Sequence, residues 1–302
     1  MANARIGVLG AGLMGHGIAQ IFALHGHEVA VYDPAQAALD NLKARVTANL
    51  RDLCADATAV ERITPAATVA DAVRDADFVV EAALENLEIK QKLFAETERH
   101  ARPDAILASN TSVIPITAIM QNVVDGSRAL GTHWWNPPYL VPLVEVISAA
   151  RTSQWAIDWT MALHRSIGKT PVHVKKDVPG FVGNRLQHAL WREAISLIEN
   201  GICDAETVDV VVKASFGRRL AVLGPIENAD MVGLDLTQAI HETVLPAIDS
   251  RPTPSPLLAQ LISEGRLGFK SGGGFRDWSV DDQAALRLKV LQHLKKASES
   301  DA

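Results

Sequence analysis

Residues 5–15 read Arg-Ile-Gly-Val-Leu-Gly-Ala-Gly-Leu-Met-Gly. The apolar run Arg5–Leu9 has the look of a buried strand, and it opens directly onto three glycines and then a helical pattern. That spacing predicts a phosphate-binding turn. Gly10 permits the tight turn, Gly12 lets the backbone approach a pyrophosphate, and Gly15 lets helix and strand pack closely. The amides of Leu13 and Met14 then sit at a helix N-terminus, where free N–H groups and the helix dipole favour negative charge. A plain structural turn fits the same three glycines, so the surroundings have to decide.

The next signal is Asp33, eighteen residues after Gly15 and at the end of a second predicted strand, Glu28–Tyr32. Its carboxylate is placed to accept hydrogen bonds from an adenosine ribose and to repel a 2′-phosphate. Pro34-Ala35 offer no arginine in compensation, so the expected cofactor is NAD rather than NADP. Asp33 also fits as a cap before Pro34, and the two roles can coexist.

Working outward, short apolar runs alternate with amphipathic stretches, which predicts βαβ units and a mainly parallel sheet. Further strands are expected at Phe78–Glu81, Ala105–Ala108, Ala129–His133, Val144–Ile147 and Thr170–Val174. After Pro179-Gly180 the texture becomes helical. Leu186, Leu190, Ala194 and Leu197 recur at helical spacing before Gly201, and Ser255-Pro256 and Gly265 bracket a later helix. The tail Lys295–Ala302 is expected to fray. The reading is an α/β Rossmann-like N-terminal domain over residues 1–181, followed by an all-α substrate and dimerisation domain over residues 182–302.

Bulk composition narrows the class. With 48% apolar and 21% charged residues in 302, the chain is an ordinary globular protein. A net charge of −6 argues against nucleic acid or an anionic membrane as partner. Cys54 and Cys203 make neither a disulfide framework nor metal-ligand spacing, so no metal is expected and a reducing cytoplasm is. Arg5–Met14 superficially resembles the start of a signal peptide, but the glycine turn explains it better. No run of about 18 apolar residues suggests a membrane span.

The chemistry is read from Thr132–Ile147, Thr-His-Trp-Trp-Asn-Pro-Pro-Tyr-Leu-Val-Pro-Leu-Val-Glu-Val-Ile. His133 lies where a strand ends, and Asn136-Pro137-Pro138 forces a turn. Glu145 falls inside an apolar strand, where an unpaired carboxylate is costly, so it needs a partner and His133 is the obvious one. Oxidation of an alcohol needs a base for the hydroxyl proton, and histidine titrates near neutrality. A carboxylate behind it fixes the tautomer and stabilises the imidazolium. Taken alone, one His and one Glu twelve residues apart also fit a structural pair.

The glycine fingerprint, Asn110-Thr111-Ser112, His133-Trp-Trp-Asn136-Pro137, Leu143-Val-Glu145-Val, Pro179-Gly-Phe-Val-Gly-Asn184-Arg185 and Gly268-Phe-Lys-Ser-Gly-Gly-Gly-Phe275 stand in one order. In that order and spacing the chain resembles the 3-hydroxyacyl-CoA dehydrogenase family over nearly its whole length. The resemblance implies His133 as base, Glu145 as its partner, and Ser112 and Asn184 on the substrate oxygen or orienting the histidine. It implies Glu85 and Lys90 on the ribose and nicotinamide side of the cofactor, and Asn110 and Asn136 lining the nicotinamide pocket. An exposed helix pair and simple turn chemistry are the plainer readings of those four.

Some features depart from the acyl-CoA pattern of that family. Trp134 and Trp135 stand where such members usually carry two phenylalanines. The segment Leu39–Ile63, which there forms a long helical hairpin holding the CoA nucleotide, is several residues short. Asn-Pro-Pro-Tyr139 and Gly217-Arg-Arg-Leu-Ala-Val-Leu-Gly-Pro225 look more like relatives that oxidise free hydroxy acids, such as gulonate 3-dehydrogenase or carnitine dehydrogenase. Arg218 and Arg219 are therefore candidate ligands for a substrate carboxylate, against the alternative of two solvated loop arginines. The expected function is hydride transfer to NAD from a small 3-hydroxy acid or a short 3-hydroxyacyl-CoA, by a homodimer. A catalytically silent crystallin-like or NAD-sensing protein is the competing reading.

Overall fold

A computed structural model describes residues 3–300 of the chain. Eight strands form one sheet: β1 Arg5–Leu9, β2 Glu28–Tyr32, β3 Ile63–Pro65, β4 Phe78–Glu81, β5 Ile106–Ser109, β6 Ala129–Trp134, β7 Leu143–Ser148 and β8 Thr170–Val174. Their order across the sheet is β3-β2-β1-β4-β5-β6-β7-β8. Every pairing is parallel except β6 with β7. Strands β4, β5 and β6 are buried along their whole length, as expected of sheet strands covered on both faces. The order reverses between β1 and β4. A crevice therefore opens beyond their C-terminal ends, where doubly wound sheets bind ligands.

The strands expected from the sequence are present, with β5 starting one residue later and β6 and β7 running longer than predicted. β3 was not foreseen: three residues, Ile-Thr-Pro, are too few to show a period. The short segment after β2 folds as helices Gln36–Asp40 and Leu42–Asp52 and a 3-10 turn, Ala57–Arg62.

Two apolar clusters cover the faces of the sheet. On one face Phe22, Phe78 and Trp134 surround His164, whose ring centroid lies 5.1 Å from that of Trp134. On the other, Phe94, Ile116, Ile119 and Phe181 pack below β4 and β5.

The chain divides into two compact units. One holds the residues up to Arg185 together with those from Gln292 onward; the other is Leu186–Leu291. The second unit is helical, with helices Ala205–Ala214, Pro225–Val232, Leu234–Val244 and Pro256–Ser263. Ser255 caps the last of these by accepting from the Leu257 N–H at 3.1 Å, and Gly265 ends it at φ +74°. The C-terminal helix Val280–Ser300 does not fray from Lys295, as the polar tail suggested. Lys295 Nζ donates to the Asp52 carbonyl at 2.9 Å, which ties that turn down; Asp301 and Ala302 lie outside the described residues. No helix among the described residues is long and apolar enough to cross a membrane.

Candidate active site

The glycine turn is built as its sequence requires. Gly10 has φ +115°, and a Cβ there would sit 2.5 Å from the Ala82 carbonyl oxygen. A Cβ at Gly15 would collide with the Gly10 carbonyl, whereas one at Gly12 would meet nothing within 4 Å. Gly12 therefore faces open space at the start of helix Leu13–Leu24, whose first turn has no capping side chain and no acidic residue. Leu13 is exposed and Met14 partly so. Uncommitted N–H groups over an open approach suit a pyrophosphate.

Asp33 grips the same turn. Its Oδ2 accepts from the Ala11 N–H at 2.7 Å, and its Oδ1 accepts from the Ala35 N–H at 2.8 Å. One carboxylate thus braces the turn through both of its oxygens, and lone pairs remain on each.

Sequence reasoning missed Arg45. Its Nη1 donates to the Ala11 carbonyl at 3.0 Å, and its Nη2 lies 2.9 Å from His16 Nδ1. Burial lowers the His16 pKa against the opposing bond of Nδ1 to the Gly12 carbonyl at 2.8 Å, and the Arg45 charge adds to the lowering. Asp33 and Arg45 therefore hold Ala11 by its N–H and its C=O. Arg45 comes from helix Leu42–Asp52, and no local signal announces it.

A second cluster forms where β4, β5 and the loop after β5 meet. Lys90 is 1% exposed, and its Nζ contacts Glu81 Oε1 at 2.6 Å and Glu85 Oε2 at 3.2 Å. Burial of the ammonium is compensated by the two carboxylates that it contacts. Glu85 is 40% exposed and accepts from Thr111 Oγ1 at 2.5 Å and Ser112 N at 3.0 Å. Burial alone would raise the Glu85 carboxyl; the bond from Thr111 and the Lys90 charge hold it below the usual range. It clips the 110–113 loop. Asn110 does similar work, its Oδ1 accepting from the Trp134 N–H at 2.9 Å, while Asn136 is exposed beyond the end of β6.

His133 and Glu145 are brought together. Nδ1 of His133 lies 2.7 Å from Glu145 Oε2, with both residues buried. The second oxygen, Oε1, accepts from the N–H groups of Val182 at 2.9 Å and Gly183 at 3.1 Å. Those amides begin helix Gly183–Glu199, so the carboxylate also sits at a positive helix end. Burial alone would raise the Glu145 carboxyl; the bonds from His133, Gly183 and Val182 outweigh it and hold the group ionised. His133 Nε2 makes no hydrogen bond among the described residues.

The rings of Trp135 and Phe181 flank His133, with centroids 5.4 and 5.6 Å away. Phe181 has φ +50°, an uncommon conformation for a bulky side chain. That backbone seats the Phe181 ring in the core while the next two amides turn to Glu145. Asn184 Nδ2 donates to the Ser112 carbonyl at 2.9 Å, placing these two beside one another, and exposed Ser112 has no hydroxyl partner among the described residues. Arg218 and Arg219 belong to the helical unit, where both are exposed and their guanidinium groups have no partner among the described residues.

A glycine turn that accepts a dinucleotide, followed by a buried His–Glu pair at the end of a sheet strand, defines a nicotinamide-dependent dehydrogenase. Comparison with known proteins gives the family. Residues 5–178 match the NAD binding domain of 3-hydroxyacyl-CoA dehydrogenase, and residues 180–278 match its C-terminal domain. The chain belongs to the 3-hydroxyacyl-CoA dehydrogenase family of NAD-dependent oxidoreductases acting on CH–OH groups.

Among its relatives is 5-formyl-3-hydroxy-2-methylpyridine 4-carboxylate 5-dehydrogenase of Mesorhizobium japonicum, 36% identical over 96% of this chain and 95% of that protein. A solved structure of an enzyme of that name, described as an NAD+ dependent dismutase, superposes with TM-score 0.92 and 33% identity over 99% of this chain and 98% of that one. The (S)-3-hydroxybutyryl-CoA dehydrogenase of Ralstonia eutropha superposes with TM-score 0.77 and 33% identity over 92% and 100%. L-carnitine dehydrogenase of Streptomyces coelicolor is 36% identical over 76% of this chain and 73% of that protein.

Proposed function

We propose that this enzyme oxidises the 3-hydroxyl of a small free hydroxy acid, with His133 as the base. The observation that carries the reading is the His133–Glu145 pair, whose free Nε2 lies at the end of β6 in the same unit as the dinucleotide turn. Glu145 holds Nδ1 protonated, so Nε2 is the basic nitrogen and takes the hydroxyl proton. Bound NAD supplies the hydride acceptor. Glu145 offsets the charge of the resulting imidazolium, and Trp135 and Phe181 screen it from water. Ser112, with its unpaired hydroxyl, and Asn184 beside it are the groups assigned to the substrate oxygen.

Asp33, the Gly10–Gly15 turn and Arg45 form the adenosine and pyrophosphate end of the cofactor site. Glu85 reaches the ribose side with Lys90 behind it. Asn136 borders the nicotinamide, and Asn110 supports that wall from within.

A free acid rather than a thioester is favoured by the closer superposition on a pyridine-carboxylate enzyme than on a hydroxybutyryl-CoA enzyme. In this reading the helical domain expected over residues 182–302, of which Leu186–Leu291 forms the compact unit, supplies the carboxylate ligand, Arg218 or Arg219, and the homodimer interface. Many large apolar side chains of that unit are exposed, which supports a dimer. Two free thiols, Cys54 exposed, support a reducing cytoplasm.

The test is a screen of free 3-hydroxy acids and their CoA esters at fixed NAD, followed by NADH absorbance and read as kcat/KM. Activity on CoA esters alone would assign the chain to the acyl-CoA branch. No turnover on any member, with NAD bound, would instead support a silent NAD-binding protein.

A further inference from the structure

A buried lysine holds the connection between the two strands of the His133–Glu145 pair. Residues 135–142 join β6, which carries His133, to β7, which carries Glu145, and Asn136 lies in this loop. The loop turns two of its carbonyls inward. Lys169 Nζ donates to Pro138 O at 2.5 Å and to Val141 O at 3.0 Å, and no other hydrogen bond reaches either oxygen among the described residues.

Lys169 is 9% exposed, and its ammonium lies over the Trp134 ring, 5.4 Å from the centroid. No carboxylate pairs with it among the described residues, and burial lowers its pKa to about 8 from 10.5. A buried cation without a counter-charge is costly, so the carbonyl dipoles and the indole face are what compensate it. An apolar side chain would avoid that cost but would leave two inward carbonyls without a donor. The backbone fixes the direction of the side chain. The Lys169 N–H donates to the His164 carbonyl at 3.0 Å, closing helix Gln154–Ser166, and the Thr170 N–H donates to the Pro142 carbonyl at 2.9 Å.

Pro138 also rests on the helix that begins at the glycine turn. A Cβ at Gly17, in helix Leu13–Leu24, would lie 2.6 Å from Pro138 Cγ and 3.3 Å from Tyr139 Cδ1. The loop that carries Asn136 is thus fixed by the dinucleotide helix through the Pro138 ring and by Lys169 through the Pro138 carbonyl.

We propose that Lys169 is a positioning residue for the nicotinamide: it gathers the carbonyls of Pro138 and Val141, keeps the loop seated on helix Leu13–Leu24, and so sets where Asn136 meets the cofactor. The proposal rests on the reading above that Asn136 borders the nicotinamide. A lysine that merely braces the fold would affect both ends of the dinucleotide alike; a lysine that positions Asn136 affects one.

The experiment measures binding of NADH and of ADP-ribose, which lacks the nicotinamide, to the full chain by titration calorimetry. Lys169→Met should raise the NADH Kd by about 10-fold and leave that of ADP-ribose within about 2-fold of the wild type, as expected for lost charge-assisted bonds at one end of the ligand. Hydrogen exchange of the ligand-free variant should quicken at Leu140 and Val141, whose N–H groups both donate to the Pro137 carbonyl at 3.0 Å. Lys169→Gln keeps an N–H donor, should fall between the wild type and Lys169→Met, and serves in its place if that variant fails to fold. Gly17→Ala, which pushes Pro138 from the helix side, should weaken NADH less in the Lys169→Met background than alone. Equal losses for the two ligands, or no loss for NADH, would overturn the proposal, and so would a lost NADH affinity with unchanged exchange in the loop. Asn136→Ala separates the two readings. If it weakens NADH alone while Lys169→Met binds as the wild type does, Asn136 stands and Lys169 falls; if it changes neither affinity, both fall.

Discussion

His133 and Glu145 are register partners in the antiparallel β6–β7 ladder, and their side chains meet at 2.7 Å on the same face of the sheet. Antiparallel partners emerge side by side, so the pairing is a consequence of register rather than of a flexible approach. It is the one antiparallel step in the sheet that brings the two residues face to face. The helix N-terminus at Val182 and Gly183 then locks the carboxylate from behind.

His133→Gln should remove turnover by about 10²–10⁴-fold while NAD binding survives. A variant keeping a third of the wild-type kcat would refute the assignment. Glu145→Gln should keep the fold, lower kcat and shift the acidic limb of the pH–rate profile. The Glu145 carboxyl lies below its ordinary pKa, so its contribution to stability is present above the unfolded value and lost as pH falls through the folded one. Urea titrations of the Gln variant should lack that part of the acid loss.

Asp33 and Arg45 predict the cofactor behaviour. Asp33→Ala should weaken NAD and improve NADP relative to it, since the repulsion of a 2′-phosphate disappears. An unchanged preference would take Asp33 away from the ribose. Arg45→Met should weaken NADH by about 10-fold or more, as expected for charge-assisted bonds, in a fluorescence titration. Equal affinity would confine Arg45 to bracing the turn.

Gly183 gives a geometric test. A Cβ at this position would collide with the Trp135 ring, which itself flanks His133. Gly183→Ala should displace the Trp135 ring or the first amides of the helix, lowering kcat more than it raises KM. Gly183→Ala combined with Trp135→Phe should recover part of the loss. Wild-type kcat in the single variant would show that the ring and the pair are independent.

His164 is buried among Phe22, Phe78 and Trp134, and burial lowers its pKa to about 4 from 6.5. Between those values the unfolded chain binds a proton that the folded chain refuses, so stability falls as pH drops through that window. The loss between pH 7 and pH 5 is about 2 kcal/mol. His164→Phe should flatten the dependence over that range in denaturant titrations. An unchanged slope would place the acid sensitivity elsewhere.

Arg218 and Arg219 separate the two substrate classes. Replacing the one that binds the carboxylate with Met should raise KM for a free hydroxy acid by one to two orders of magnitude, about 1.5–3 kcal/mol for a charged hydrogen bond. The same change should matter little for a CoA ester, whose charges lie far from the reacting carbon. Unaltered KM for the free acid in both single variants and in the double variant would leave them as solvated loop residues.

Local chemistry was enough for much of this protein. The glycines of the first turn, the strand-ending Asp33, the proline turn after His133 and the caps at Ser255 and Gly265 each act within a few residues, so their spacing carries the meaning. An unpaired Glu145 in an apolar strand pointed to His133 because burying a lone carboxylate is costly. Tertiary structure alone decided what lies far apart in the chain. It brought Arg45 to Ala11, turned Lys90 inward onto Glu81, and aimed the amides of Val182 and Gly183 at Glu145. Short β3 also escaped the sequence. The physical reason is the same throughout. A periodic pattern records which face a residue must bury, while the partner that satisfies a charge or covers a face is chosen by packing between distant segments.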